Sequence, residues 1–347
     1  MRRKIFKIIK WLAIVILILC CMGITWNYFC KKREIPKIQA AYGNAVKVNG
    51  KKMTVEIAGL QAEESPVIVL LPGLGSPSPV LEFRPLAEKL GKTYKVITVE
   101  PFGYGLSDPA DTERSIENIV EELHACLEEI GVHRYYLMAH SISGLYSLYY
   151  ANTYPEEVRG FIGIDSSVPK QNENEPFDTT KLNLLMAYLS KTKNVLGISR
   201  IFSIGNPEKA IYADQNYSYS QEDLEVFRIL SLDNSYNKTV MNELKQVEKN
   251  LEIVQDMKFP EEVPVLNFVS EDNCEIFPEW EKLHRSVLSD NQENRLVMLK
   301  GGHYLHFEQK ERINYYVVKF INYTENVGTG DSKTCTGIFI YRKVTIE

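Results

Sequence analysis

The chain has 347 residues, 44% apolar and 24% charged, which excludes a disordered composition and supplies enough apolar material for a full core. A net charge of -5, with no basic stripe beyond the N-terminus, gives no basis for nucleic-acid binding. The six cysteines, at 20, 21, 30, 126, 274 and 335, show neither a disulfide framework nor metal-ligand spacing, so neither metal nor cofactor is expected.

Residues 1–33 stand apart. Arg2, Arg3, Lys4, Lys7 and Lys10 precede WLAIVILILCCMGITWNYF (Trp11 to Phe29), an uncharged run about long enough to cross a ~30 Å hydrocarbon core as a helix. Trp11, Trp26 and Tyr28 occupy interfacial positions, and Lys31, Lys32 and Arg33 close the far end. The basic excess before the run favours a cytoplasmic N-terminus, which predicts an uncleaved single-pass anchor with the rest of the chain extracytoplasmic. No small-residue cleavage site follows the run, and Leu19 and Cys20 stand where a lipidated cysteine needs a small residue before it.

After a polar linker (34–44), AVKVNG and KKMTVEIAG predict a hairpin turning at Asn49-Gly50. VIVLL (67–71) has the unbroken apolar character of a buried parallel strand, ends in Pro72-Gly73-Leu74-Gly75, and is followed by helical pattern over 80–90. KVITVE (95–100) is the next strand. Ser115 to Ile130 places Ile116, Ile119, Val120, Leu123 and Leu127 on one helical face, with Ser115 as cap and Gly131 as stop. The strand RYYLMAH, a helix over 142–154 and the strand FIGID (161–165) continue the alternation, which implies βαβ units and a mostly parallel sheet covered on both faces.

The alternation stops between 168 and 259, where the pattern is helical, and resumes with VPVLNFVS (263–270), a helix over 279–288, RLVMLK and a last helix over 308–323. The expected organisation is therefore a core in two parts, 45–167 and 260–324, interrupted by a helical lid at 168–259, with an unassigned tail, 325–347, that contains GIFIYRKVTIE.

The chemistry centres on Ala139-His140-Ser141-Ile142-Ser143-Gly144, between an apolar strand and a helical pattern. A serine exposed on so sharp a strand-to-helix turn needs small residues two positions before and after it, usually glycines; Ala139 and Ser143 fill those places here. Serine is a weak nucleophile near neutral pH and needs an imidazole base, for which His303, in Gly302-His303-Tyr304 after RLVMLK, is the candidate. His306 follows, but His303-x-x-His306 is no zinc helix motif and has no acidic neighbour of the kind that motif requires. A tetrahedral intermediate needs two preorganised N–H donors; Ile142 and Leu74 are the candidates, Gly73 letting the backbone turn the second inward.

LLPGLGSPS, VEPFGYGLSD, MAHSISGLYSLYYANTYPEEVRGFIGID and GGHYLHFEQKERI resemble the successive signature stretches of α/β-hydrolase-fold enzymes. Within that fold the chain is most similar to the capped group that includes prolyl iminopeptidases, esterases and lipases, over about 45–323. The resemblance implies an α/β-hydrolase fold with a helical cap insert, a Ser–acid–His triad in that chain order and an oxyanion hole at Leu74 and Ile142. The chain departs from the family in opening the early loop with Pro72-Gly73 rather than His-Gly, and in ending the next strand with Glu100 rather than Asp.

The acid is expected after VLNFVS, where the family shows Gly-x-x-Asp and this chain has Ser270-Glu271-Asp272-Asn273. Asp272, one residue early, is the first candidate; Asp165, at the end of FIGID, and Glu271 follow. The residues predict a serine hydrolase of a small-molecule carboxyl ester or amide, working through an acyl-enzyme. The alternatives are an aminopeptidase of prolyl iminopeptidase type, which would need carboxylates in the cap such as those of Glu173–Asp178, and a binding protein that has lost activity. A dehalogenase-like activity would require Asp where Ser141 stands.

Overall fold

The computed structural model describes residues 2–60, 65–173, 179–205 and 211–327. The run GIFIYRKVTIE, Cys335 and 174–178 lie outside them. The described chain opens with helix α1 (Arg2–Ile38), within which lies a stretch long and apolar enough to cross a membrane and in no part buried against the rest of the protein.

Strands β1 (Asn44–Val48) and β2 (Lys51–Gly59) form the expected hairpin. Asn49 at φ 50° and Gly50 at φ 84° give the turn its left-handed pair, the conformation that lets a two-residue loop follow the strands' twist. Next come β3 (Val67–Leu71), α2 (Pro79–Leu90) and β4 (Lys95–Glu100). Ser78 caps α2 by accepting from the Leu81 amide, and Pro79 supplies a first helical residue that needs no donor. Helix α3 (Ile116–Glu129) is capped by Ser115 and stopped by Gly131 at φ 69°. Strand β5 (Tyr135–His140), α4 (Ser143–Thr153) and β6 (Val158–Ile164) follow, with every residue of β5 buried.

Between β6 and β7 the described chain forms only helices: α5 (Thr179–Val195), α6 (Ile198–Phe202), α7 (Gln221–Asn234) and α8 (Lys238–Val254). Then come β7 (Val265–Ser270), α9 (Glu271–Ile276), α10 (Trp280–Ser286), β8 (Arg295–Leu299), α11 (Leu305–Glu308) and α12 (Lys310–Val327). The single last helix expected over 308–323 is thus two pieces, broken at Gln309, and the second runs on into the stretch assigned to the tail.

The strands form one sheet of order β1-β2-β4-β3-β5-β6-β7-β8, antiparallel through β1, β2 and β4 and parallel from there on. One apolar cluster joins α3, α4 and α8 to one face of the sheet; a second joins α2 and α12 to the other. The chain steps from β3 outward to β4, then crosses back to lay β5 on the far side of β3. At such a reversal the loops leaving the carboxyl ends of the two strands diverge and open a crevice, the usual ligand position in open α/β sheets.

Candidate active site

Ser141 sits at that reversal, immediately after β5. Its φ of 54° is one of few positive values at a non-glycine residue, a conformation costly for a side chain with a Cβ and one that persists where the surrounding structure enforces it. Neighbouring contacts supply the enforcement. The Ser141 carbonyl accepts from the Gly144 amide at 2.9 Å and the Ser167 amide at 2.7 Å, and Ser143 Oγ donates to the Pro72 carbonyl. A Cβ on Gly144 would sit 2.6 Å from the Ser167 carbonyl oxygen, so the glycine of this turn is needed one position later than the usual pattern puts it. Gly73 closes the other side: a Cβ there would be 3.1 Å from that of Ser141.

The two candidate oxyanion donors stand next to this turn, Leu74 beside Gly73 after β3 and Ile142 at the head of α4. The Ile142 amide heads α4 and the Leu74 amide lies in the loop after β3, and neither donates to any described residue. The next amide, Gly75, is taken up by Tyr104 Oη at 3.2 Å. Tyr104 in turn donates to Glu243 of α8 at 2.8 Å, and Tyr146 of α4 donates to the other oxygen of the same carboxyl at 2.8 Å. Burial raises the Glu243 carboxyl despite the nearby Arg114 and the two tyrosine hydroxyls. Glu243 thus ties the helical insert to both the early loop and the helix behind Ser141, a link that the sequence did not signal.

His303 lies between β8 and α11, its ring centroid 4.6 Å from that of His140, the residue before Ser141. Its Nδ1 is 2.7 Å from Asp165 Oδ2. Asp165 follows β6, is fully buried and adopts φ 43°. It also accepts from the Ser270 amide at 3.0 Å, Trp280 Nε1 at 2.9 Å and Asn273 Nδ2. Burial alone would raise this carboxyl, but the bonds from His303, Trp280 and Ser270 outweigh it and hold it below the usual range. Ser141 Oγ makes no hydrogen bond among the described residues; such contacts often close only when substrate is bound.

The first-choice acid of the sequence is not at the histidine. Asp272 is exposed on the first turn of α9, where it and Glu271 follow the Ser270 cap, and neither bonds to His303. The physical reason is register: Ser270 Oγ caps α9 by accepting from the Asn273 amide, so the chain turns into a helix before Asp272 can reach inward. Asn273, which stands where the family pattern has Asp, points its amide at Asp165 instead. That Asn was the available sequence signal that the carboxylate had moved by one strand; Trp280 gave none.

Behind His140 lies a second buried group. His140 Nε2 is 3.0 Å from the His303 carbonyl oxygen, while its Nδ1 has no hydrogen-bond partner among the described residues and lies 2.7 Å from where a Cβ on Gly73 would be. Burial, followed by the neighbouring His306 and His303, pushes His140 well below the ordinary imidazole range, so it is neutral. His306 does have an acidic neighbour, supplied by α2: its Nε2 is 3.3 Å from Glu82 Oε1, and Glu82 accepts from Ser76 Oγ at 2.6 Å. Glu82, His140 and His306 each offer one atom within 4.8 Å of the others and are, with the more open His124, Glu128 and Glu157, the residues that could hold a cation among those described.

Comparison with known proteins places the chain in a family and finds relatives and many structural neighbours. The family model for the alpha/beta hydrolase fold matches residues 66–310. The chain is 26% identical over 330 residues to YbdG of Bacillus subtilis (strain 168), an uncharacterized protein, covering 92% of this chain and 97% of that one. A local match, 34% identical over 103 residues and spanning 28% of this chain and 36% of the relative, is to a putative carbamate hydrolase, RutD, of Cronobacter sakazakii. Among solved structures, a loop variant of haloalkane dehalogenase DbeA from Bradyrhizobium elkanii superposes with TM-score 0.59 at 16% identity, over 83% of this chain and 99% of its own. Epoxide hydrolase VrEH1 from Vigna radiata gives 0.58 at 19%, over 81% and 97%. At such identities the structural matches speak for the fold alone.

Proposed function

The chain belongs to the alpha/beta hydrolase fold family, and from that premise we propose that it is a membrane-anchored serine hydrolase of carboxyl esters. Ser141 is the nucleophile, His303 the general base, Asp165 the acid and the Leu74 and Ile142 amides the oxyanion hole. The observation that carries the reading is an enforced positive-φ serine after β5 together with a histidine held 2.7 Å from a buried carboxylate after the next strand.

In this reading His303 Nε2 removes the Ser141 proton as Oγ attacks the carbonyl carbon, and Asp165 stabilises the imidazolium that forms. The oxygen's negative charge develops toward the two undonated amides. Collapse expels the alcohol, which takes its proton from His303 and leaves an acyl group on Ser141; water, deprotonated by His303, then attacks the acyl carbon and frees the acid. A dehalogenase or epoxide hydrolase activity, the activities named for the structural neighbours, would need a carboxylate where Ser141 stands. The aminopeptidase alternative loses ground because Glu243, a buried carboxyl of the insert, already accepts from two tyrosines. Helix α1 would hold the enzyme at the membrane, its cationic start in the cytoplasm and the sheet outside.

A fluorophosphonate probe should label the full-length protein and leave Ser141→Ala unlabelled. A panel of p-nitrophenyl esters, carbamates and N-terminal prolyl amides should show turnover chiefly on the esters. Equal labelling of both proteins would sink the mechanism; turnover of prolyl amides alone would move the assignment to the peptidase class.

A further inference from the structure

Helix α5 carries apolar side chains on two opposite faces. Ala187 and Leu184 turn inward, packing with Met241 of α8 and with Leu74 of the oxyanion loop. Leu182, Leu185 and Leu189, spaced as one helical stripe, turn outward and are exposed. Exposed apolar side chains continue in Ile201 and Phe202 of α6 and in Ile204 just after it. Phe202 at 72% and Ile204 at 68% are as open as Trp11, at 67%, in the uncharged run of α1. A helix apolar on both faces suits a position between a protein core and a non-aqueous phase.

The same stretch is fastened to α1. Asn27 Nδ2 donates to the Asn194 carbonyl at 2.8 Å, and Arg200 donates through Nε to Asn27 Oδ1 at 2.9 Å. The Arg200 guanidinium also pairs with Glu34, which pairs in turn with Arg228 of α7 at 3.1 Å. Asn27 and Arg200 are themselves buried, so their polar groups are matched as a low-dielectric setting requires. One turn further toward the N-terminus, Gly23 meets the Leu196 carbonyl so closely that a Cβ would collide with it. Gly23 lies six residues before the end of the uncharged run at Phe29, which is about 9 Å along a helix axis. A segment that touches a spanning helix at that level must itself enter the interfacial layer, where apolar faces sink roughly 5–10 Å.

We infer that α5 and α6 are embedded in the outer interfacial layer of the bilayer crossed by α1, and that the substrate is an ester-linked acyl lipid delivered to Ser141 from that layer beneath α5. This rests on the hydrolase reading above. The inner face of α5 and Leu74 pack in one apolar cluster, so a lipid passing under α5 arrives at the oxyanion loop without crossing water.

The test uses the full-length protein in phosphatidylcholine vesicles. With Phe202→Trp, brominated lipid should quench the emission added over wild type; an unquenched increment overturns the docking whatever the activity does. The double variant Phe202→Asp/Ile204→Asp is then compared with wild type on a long-chain monoacylglycerol held in the vesicles and on a soluble p-nitrophenyl ester. Lipid turnover should fall about tenfold or more while soluble-ester turnover stays within about twofold. An equal effect on both substrates, or none on either, overturns the lipid route. If wild type turns over neither substrate, the hydrolase reading has failed, and with it the lipid route; quenching still decides the docking.

Discussion

Two carboxyls stand at the carboxyl ends of two strands of the same sheet, both fully buried, and their environments push them in opposite directions. Glu100, the last residue of β4, accepts from Tyr42 Oη at 2.8 Å and from the Val80 and Leu106 amides at 3.3 and 2.7 Å. Its donors are all neutral, and burial raises it to about 7. Asp165, after β6, has neutral donors too, but it also has an imidazole that can take up a proton and become its counter-charge. Burial is overcome there and the carboxyl stays low. Depth alone does not decide whether a strand-end acid is ionised; a partner able to carry positive charge does.

The comparison breaks most visibly at the level of turnover. Asp165→Asn should lower kcat about 10³- to 10⁴-fold, since His303 loses both its orientation and the charge that stabilises its protonated form. Glu100→Gln, equally buried, should leave kcat within a few-fold, and comparable losses in both would remove the distinction. Stability is the next readout, and its sign differs between the two. Asp165, with a folded pKa below its unfolded value, contributes stability above about pH 4 that is lost as pH falls through the lowered pKa. Glu100, raised from 4.5 to about 7, contributes below about 4.5, and that stability is lost as pH rises to 7. The Glu100 loss is on the order of 3 kcal/mol. Denaturant unfolding at pH 5 and pH 8 should show this slope in wild type and not in Glu100→Gln.

A smaller effect sharpens the Asp165 side. Asn273→Ala removes one donor to the carboxylate and should reduce kcat roughly three- to tenfold, with the acid limb of the pH–rate profile moving upward as the carboxyl becomes easier to protonate. The smallest is expected at Asp272→Asn, where kcat should stay within about twofold; a thousandfold loss there would return the acid to the loop after β7.

What could be read from the residues divides along the same line. The buried strands, their alternation with helices and the turn at Asn49-Gly50 follow from local pattern, and the fold is legible for that reason. Ser141 and His303 stand out because each sits at a strand end among small residues. The proposed acid is different, since Asp165, Glu271 and Asp272 all follow strands, and the one local signal among them is Asn273, standing where the family pattern has Asp. What distinguishes Asp165 in space is the Trp280 indole and the Ser270 amide, both more than a hundred residues away in sequence. Glu82 beside His306, and Glu243 beneath Tyr104 and Tyr146, escaped for the same reason: each partner arrives from another element, far off in sequence.

The pairing of Asp165 with His303 also sets a clock on synthesis. The two residues are 138 positions apart. At about 5–20 residues per second, roughly 7 to 28 s separate the emergence of the acid from that of the histidine. Throughout that interval the growing chain holds Ser141 and the loop of Leu74 without the residue proposed as their base. On the proposed mechanism a chain released anywhere before β8 would be inert, so hydrolysis would begin only once His303 has been synthesised.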